Sequence, residues 1–345
     1  MSCIVVQSLF FCVADVCADG LMVANVKSEK EEEAGKLQTK VWTTRALGGI
    51  IATYSGTKFN AAFGTKAVFA ASSVLPLVAA GVIWWAPEAR AVAAEVLPFK
   101  QRLQSTMAGV WNTLKHARYL VVFCFVFAAT PSFSSALFVF LTKKLNYSMA
   151  ALADLDILGS FCGVFGTVLF YSCVKRINPK YSILAGLILQ AVVRSSLIYV
   201  VTDPNWALTH KISQAILYLE NCTMSLLGNF TQMPLLLVAA HACKAPFEAS
   251  CYATIMSVSN FGGASSAFLG GAITNFMQIS AEDWTSLPSL IEVCIVSTAI
   301  PAAALFLLPL DFNVGKTDST QYITVDARDA AEEIVEASEM YECEI

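Results

Sequence analysis

Two aspartates in an apolar run near the start of the chain are the residues whose type and spacing first suggest chemistry. Asp15 and Asp19 interrupt the run from Ile4 to Met22, and residues four apart lie on one face of a helix. An ionised aspartate near the centre of a bilayer costs roughly 3 kcal/mol on insertion scales, so both carboxylates are expected to face a protein interior or a wet cavity. We therefore treat them as candidates for binding a ligand or a proton. The alternative is a helix-packing pair held by Ser or Arg from neighbouring helices.

The composition defines the class of protein that must position these acids. Of the 345 residues, 56% are hydrophobic and 14% are charged, and the mean hydropathy is +0.61, which lies outside the range of soluble globular domains. The sequence therefore predicts an all-α polytopic membrane protein in contact with the lipid bilayer. Its slight acidity comes from the cluster Glu29 to Glu33 and from the tail after Asp326. These are two solvated segments, so the acidity gives no indication of a nucleic-acid partner.

Apolar runs long enough to cross a membrane recur along the chain. A hydrocarbon core of about 30 Å requires about 20 apolar residues in a helix. The second run is the weakest, because Arg45 and several glycines lower its hydrophobicity. The nine predicted spans are roughly Cys3–Val26, Val41–Thr57, Ala67–Trp85, Tyr119–Leu141, Met149–Val174, Tyr181–Val201, Ile212–Ala240, Ala249–Met277 and Leu287–Leu310.

A long polar segment divides these spans into three before it and six after it. We expect a partial N-terminal bundle over residues 1–86, a cytoplasmic linker over 87–118, a six-helix bundle over 119–310 and a polar cytoplasmic tail over 311–345. Lys and Arg then concentrate in the cytoplasmic loops, as the positive-inside rule requires, and the N-terminus lies outside. Carriers built from two six-helix halves join them by such a linker. On this interpretation the first half lacks three helices.

Two sequence blocks resemble those of a known transporter family. The first is ADVCADGLMVANVKSE followed by GKLQTKVW, and the second is LGNFTQMPLLLVAAHACKAPFEASCYATIMSVSNFGG. They are similar to the fourth helix with its following loop, and to the tenth and eleventh helices, of the folate–biopterin transporter family, a branch of the major facilitator superfamily. With Pro131 and Phe133 in the helix that would be its seventh, the resemblance extends down to Leu310. It departs at Ala24, where the family usually has an acidic residue, and in the loop Cys243–Glu248, where the usual Gly-containing turn is replaced.

The resemblance implies a major facilitator-type bundle that carries folate or a pterin such as biopterin, by proton symport. A pterin ring presents two parallel donors at its amino and N–H edge, and a carboxylate accepts such a pair in bidentate fashion. Asp15 or Asp19 would bind that edge or carry the coupling proton, since a protonated Asp cannot accept as a carboxylate does. The anionic folate tail requires a cation, and the basic residues well inside predicted spans are Arg45 and Arg194. For Arg45 the alternatives are an ion pair with the two aspartates or snorkelling to the cytoplasmic surface.

Other intramembrane polar groups are weaker candidates for substrate binding. Pro234 can break the over-long seventh span, and broken helices mark binding sites in transporters. Glu220, Asn229 and Gln232 are retained as candidates for this reason. Asn260 joins them, although close helix packing explains it and the glycines beside it first.

Two further acids occur near the start of the fifth predicted span. Asp154 and Asp156 are two positions apart, so they point in different directions. Acids in the first turns of a helix complement its dipole. We therefore expect structural roles for both.

The residues also allow functions other than folate transport. One is a truncated, non-transporting paralogue or fragment that regulates or assembles with a complete carrier. Another is a carrier of a different small organic solute such as S-adenosylmethionine. An intramembrane enzyme has no motif in its favour. The scattered cysteines form no C-x-x-C, so we expect no metal site and no cofactor. Both the plasma membrane and a plastid envelope fit the sequence, and the oligomeric state is left open.

Overall fold

The structure, a computed structural model, describes residues 2–26, 36–85, 99–173, 178–203, 206–243 and 247–308. Within these ranges the regular structure is helical throughout, as the sequence predicts. A π-helical turn, Phe140–Lys144, follows α6, and a 3₁₀ turn, Leu305–Leu307, follows α12. The helices in chain order are α1 (Ser2–Val26), α2 (Lys36–Phe63), α3 (Thr65–Trp84), α4 (Phe99–His116), α5 (Arg118–Ala128), α6 (Ser134–Val139), α7 (Met149–Cys173), α8 (Pro179–Thr202), α9 (Trp206–Ala242), α10 (Glu248–Phe276), α11 (Leu287–Ser297) and α12 (Ala299–Ala304).

Each predicted span overlaps one or more of these helices, and α4 lies in none of the spans. The helices α1, α2 and α10 have 25, 28 and 29 residues. Each is therefore longer than the roughly 20 residues that cross a bilayer. The all-helical class is thus confirmed, whereas the number of nine spans stays a prediction. In the described ranges, the segments both long and apolar enough to cross a membrane are Thr65–Trp84, Met149–Ser172, Pro179–Thr202, Lys211–Ala242 and Leu287–Leu307.

The fourth predicted span is broken in its middle. α5 and α6 are separated by a break that contains Pro131, because proline lacks an N–H and disfavours helical geometry at the residue before it. The Ser266 hydroxyl on α10 donates a hydrogen bond to the Thr130 carbonyl. A Cβ at Gly270 would lie 1.8 Å from the carbonyl oxygen of Ser132, so only glycine allows this approach. The non-helical backbone is thereby covered by protein, as membrane depth requires.

The seventh predicted span is continuous, and the expected break at Pro234 was wrong. α9 runs for 37 residues through this proline. A proline in a helix interior removes one backbone hydrogen bond, but neighbouring helices in a membrane bundle compensate for that loss. Every residue from Met233 to Ala240 is buried. The surrounding helices therefore keep α9 continuous through the proline.

A helix lies in the second part of the segment predicted as a linker. α4 is separated from α5 by Ala117 alone. It docks on the start of α10, where a Cβ at Gly109 would lie 2.1 Å from the Phe247 ring. Residues 87–98 of the predicted linker and the predicted tail, 311–345, lie outside the described ranges.

α9 packs along α7 and α8 more extensively than the helices of any other pair pack together among the described residues. One core cluster joins α1, α5, α8 and α10 through Val23, Phe123, Ile183 and Tyr252. A helix from the start of the chain thus shares its core with helices that follow the linker. α3, by contrast, has no buried residue. Its apolar surface suits contact with lipid, whose tails are as apolar as leucine.

Candidate functional site

Asp15, Asp19 and Arg45 form one charged centre between α1 and α2. The Arg45 guanidinium donates a hydrogen bond to Asp15 Oδ1, and its Nη1 lies 3.6 Å from Asp19 Oδ1. The guanidinium also lies over the Trp42 ring, 5.2 Å from its centroid, within the range of a cation–π contact. Asp19 is 9% exposed, whereas the Arg45 side chain is 40% exposed. Of the alternatives for Arg45, the structure contains the ion pair with the aspartates.

Close packing of α1 on α10 holds this centre in place. A Cβ at Gly20 would lie 2.7 Å from the Cβ of Ala249, so the two helices touch directly beside Asp19. Met22 and Val23, on the next turn of α1, are buried in the shared core. The burial of Asp19 therefore follows from the packing of its own helix.

A polar cavity of about 540 Å³ lies among α2, α5, α7, α8 and α9. Small-molecule sites have volumes of roughly 300–1,000 Å³. Ala46 and Phe127 form part of the lining, and Ala46 follows Arg45 of the charged centre in sequence. The polar residues of the cavity lining are Asp156, Ser160, Gln190, Asn221, Ser225, Asn229 and Gln232.

The wall of the cavity depends on glycines of α7 that face polar side chains of α9. A Cβ at Gly159 would lie 2.6 Å from Asn221 Oδ1, and a Cβ at Gly163 would lie 2.6 Å from Asn229 Nδ2. Asn221 Nδ2 donates a hydrogen bond of 3.1 Å to the carbonyl oxygen of Leu155. Glycine therefore lets the amides of α9 lie directly against the backbone of α7, in the small-residue packing typical of membrane helices.

Gln190 ties α8 to the same wall. Its Nε2 donates a 3.1 Å hydrogen bond to Thr231 Oγ1, and that hydroxyl donates a 2.6 Å bond to the carbonyl of Leu227. Thr231 is fully buried, and a Cβ at Gly186 would lie 2.1 Å from its hydroxyl oxygen. The Gln190 amide is thus anchored at the edge of the cavity.

Asp156 faces the cavity, which departs from the structural role expected for it. It lies seven positions after Met149, where α7 begins, and the favourable effect of a helix dipole on acids falls off within the first turn. The residue is exposed and lines the cavity, and no described residue donates a hydrogen bond to its carboxylate or forms an ion pair with that group. Asp154 is also exposed but does not line the cavity.

Arg194 and Glu220 lie near each other outside the cavity lining, without an ion pair between them in the described part of the chain. Their opposite charges attract each other, and the guanidinium lies 5.4 Å from the centroid of the Phe133 ring. Both side chains are half-buried. Glu220 is adjacent to Asn221 in sequence, yet only Asn221 lines the cavity. Asn260 is exposed on α10 and belongs to neither group.

Sequence reasoning selected Asn229 and Gln232 from the cavity but not Asp156 or Gln190. A signal was available in the polar residues of α9, which recur every four positions from Asn221 through Ser225 to Asn229 and therefore share one face. The sequence does not show that the glycines of α7 lie against that face.

Comparisons with known proteins agree with the resemblance seen in the sequence. The BT1 family model matches residues 1–327. The folate-biopterin transporter of Synechocystis sp. is 27% identical over 307 residues, which cover 88% of this chain and 61% of that protein. Folate transporter 1 of Plasmodium falciparum is 24% identical over 200 residues, covering 57% of this chain and 39% of that protein. Folate transporter 2 of the same organism is 21% identical over 309 residues, covering 87% and 65%. The chain thus spans less than two thirds of the length of each of these relatives.

Among solved structures, the chain is similar to a bacterial homologue of the iron transporter ferroportin in an outward-facing state. The TM-score is 0.53 at 13% sequence identity, and the match covers 87% of this chain and 69% of that chain. At this identity the similarity shows the fold alone, which is a bundle of helices. Together with the apolar helices, it identifies an integral, multi-pass membrane protein.

Proposed function

We propose, because this chain belongs to the BT1 family, that it acts as a membrane carrier of folate or pterin compounds and not as an enzyme. The observation that carries the proposal is the polar cavity of about 540 Å³ between α7 and α9, which also touches α2 and α5. The names of the relatives, folate-biopterin transporter and folate transporter, support the same class of substrate.

The chemistry of the cavity suits a flat, polar heterocycle. A pterin carries both hydrogen-bond donors and acceptors on its rim, and each amide side chain can donate and accept. Gln190, Asn221, Asn229 and Gln232 supply four such groups around one space. Phe127 in the same lining offers an aromatic face on which a flat ring can stack.

The charged centre beside the cavity is proposed to carry the coupling proton. Asp15 and Asp19 share a single guanidinium, that of Arg45, so the centre has one excess negative charge when both are ionised. Binding of one proton makes it neutral. A neutral centre is easier to bury than a charged one, so proton binding can favour a state in which this centre is closed.

Alternating access is proposed to occur between residues 1–86 and residues 119–310. The cavity touches α2 of the first group through Ala46 and α5, α7, α8 and α9 of the second. Secondary transporters of this kind expose a fixed site to either side by rocking one helix group against the other.

The experiment that tests the proposal is uptake of labelled folate and of biopterin into folate-auxotrophic cells that express this chain, with and without a pH gradient. We expect uptake that the gradient stimulates. Asp19→Asn should abolish the response to the gradient but preserve exchange of labelled for unlabelled substrate. Asp154→Asn, which changes an acid outside both sites, should behave like the unaltered protein.

Two results would overturn different parts of the proposal. Absence of uptake by protein shown to be in the membrane would contradict transport by this chain, and would favour a fragment that assembles with another carrier. Uptake that does not depend on the pH gradient would contradict proton coupling but would still support the proposed substrate class.

A further inference from the structure

We propose that Asp156 recognises the donor edge of the transported ring, the edge at which an amino group lies next to a ring N–H. This inference rests on the proposed function and names the group within the cavity that distinguishes one heterocycle from another. The recognised ligand class is a planar ring with two parallel donors, such as a 2-amino-4-oxopteridine.

The position of Asp156 carries the inference. It is the one carboxylate among the described residues that line the cavity, and none of those residues is basic. Its neighbours on the same face of α7 are Gly159, Ser160 and Gly163, at spacings of three, four and seven residues. The side chain therefore projects from the glycine-lined face that opens the cavity toward α9.

Three of the other acids in predicted spans lie near a cation, and Asp154 does not line the cavity. Asp15 and Asp19 contact Arg45, and Glu220 is attracted to Arg194. Asp156 has no such partner among the described residues. An unpaired carboxylate at membrane depth is costly and is maintained chiefly for function.

A donor edge of the ring binds more strongly to this carboxylate than to the neutral amides around it. A carboxylate accepts two parallel N–H donors in a bidentate arrangement, and bonds to a charged acceptor are about twice as strong as neutral ones. The amides of Asn221 and Asn229 on the facing helix are then left for the acceptor atoms of the ring. Phe127 closes the space from α5, where it can cover one face of the heterocycle.

Two ring systems that differ at this edge provide the test. Pterin has an amino group at position 2, and lumazine has an oxygen there, so lumazine lacks one of the paired donors. Affinities are measured by equilibrium binding to the purified full chain in detergent. We expect the unaltered protein to prefer pterin, and Asp156→Asn to lower the pterin affinity by about ten- to a hundredfold, which corresponds to the loss of a charge-assisted bond. Lumazine affinity should change by less than about threefold in the same variant, because the lost bond is one that lumazine does not make.

Matched variants keep the test interpretable. Asp154→Asn removes an exposed carboxylate two residues away that does not line the cavity, and it should leave both affinities unchanged. Asp156→Glu retains a carboxylate and should retain the preference for pterin. Thermal unfolding of each variant shows whether it is folded at the temperature of the binding experiment.

The outcomes separate this inference from the proposed function. Binding of neither ring by the unaltered protein would overturn the proposed substrate class. Binding of pterin with equal affinity by the unaltered protein and by Asp156→Asn would overturn the role of Asp156 alone. An equal loss of pterin and lumazine affinity in that variant would also overturn the role of Asp156. The carboxylate would then not be binding the amino group that distinguishes the two rings.

Discussion

The carboxylates in two regions of this protein differ in whether a cation lies beside them. At the contact of α1 with α2, Asp15 and Asp19 share the guanidinium of Arg45. In the cavity between α7 and α9, Asp156 lies among amides and hydroxyls, and the described residues that line it include no cation. All three acids come from long apolar helices. The difference teaches that the helix opposite an acid, rather than the acid's own helix, decides whether its carboxylate is paired or available to a ligand.

The two regions also differ in how their helices meet. α1 and α2 are joined at the charged centre by the long Arg45 side chain, which reaches across to acids of the other helix. α7 and α9 meet closely, because Gly166 lies against the backbone of Leu226, and Gly159 and Gly163 lie against amide side chains of α9. Changes to the first region therefore act through charge, and changes to the second act through steric contact.

The largest effect is expected from a side chain added where backbone faces backbone. In Gly166→Ala, the new Cβ would lie 2.3 Å from the carbonyl oxygen of Leu226, which cannot rotate away. We expect the free energy of unfolding to fall by about 3 kcal/mol, the upper end for overpacking of a tight contact. Equilibrium unfolding of the purified protein in mixed micelles measures this value.

Gly159→Ala is the matched control for that variant. Its Cβ would meet Asn221 Oδ1 at 2.6 Å, the end of a side chain that can turn aside at the cost of its hydrogen bond to Leu155. The expected loss is about 1 kcal/mol, accompanied by weaker ligand binding. Equal losses of unfolding free energy in the two variants would show that close contact between the α7 and α9 backbones at Gly166 does not limit the packing of these helices.

The next effect concerns the charged centre. Arg45→Gln leaves Asp15 and Asp19 facing each other without a cation. We expect a loss of about 2 kcal/mol of stability, below the 3–5 kcal/mol typical of fully buried pairs, because the Arg45 side chain is 40% exposed. Equilibrium unfolding of the purified variant in mixed micelles measures this loss.

Neutralising both acids in the Arg45→Gln background tests the cause of that loss. Asp15→Asn with Asp19→Asn should restore most of the stability, since the unpaired charges are gone. If the triple variant were no more stable than Arg45→Gln, the guanidinium would be acting through its packing on Trp42 rather than through its charge.

The smallest effect is expected at the edge of the cavity. Thr231→Val removes the hydroxyl that accepts from Gln190 and donates to Leu227. The shape of the side chain is preserved and the freed amide faces the polar cavity, so the stability loss should be about 1 kcal/mol. Ligand affinity measured alongside should decrease, because Gln190 loses its anchor. A loss above about 3 kcal/mol would indicate that Thr231 supports the core and not the cavity.

Much of the fold could be predicted because lipid imposes a simple rule on each segment. A helix at membrane depth must satisfy its own backbone and present about 20 apolar residues, so runs such as Met149–Val174 were located to within a residue or two of α7. The prolines were harder to interpret. Pro131 breaks its span and Pro234 does not, because the neighbouring helices determine whether an interrupted or a continuous helix is better packed.

The amino-acid sequence by itself determined the membrane class, the order of the helices and the presence of costly acids within them. These properties follow from composition and local periodicity, which each segment carries alone. Tertiary structure decided that Arg45 neutralises Asp15 and Asp19, and that Asp156 opens onto a cavity walled by α9. The physical reason is that a charge interacts with whatever lies within a few ångströms of it, and for these residues that is a helix distant in sequence.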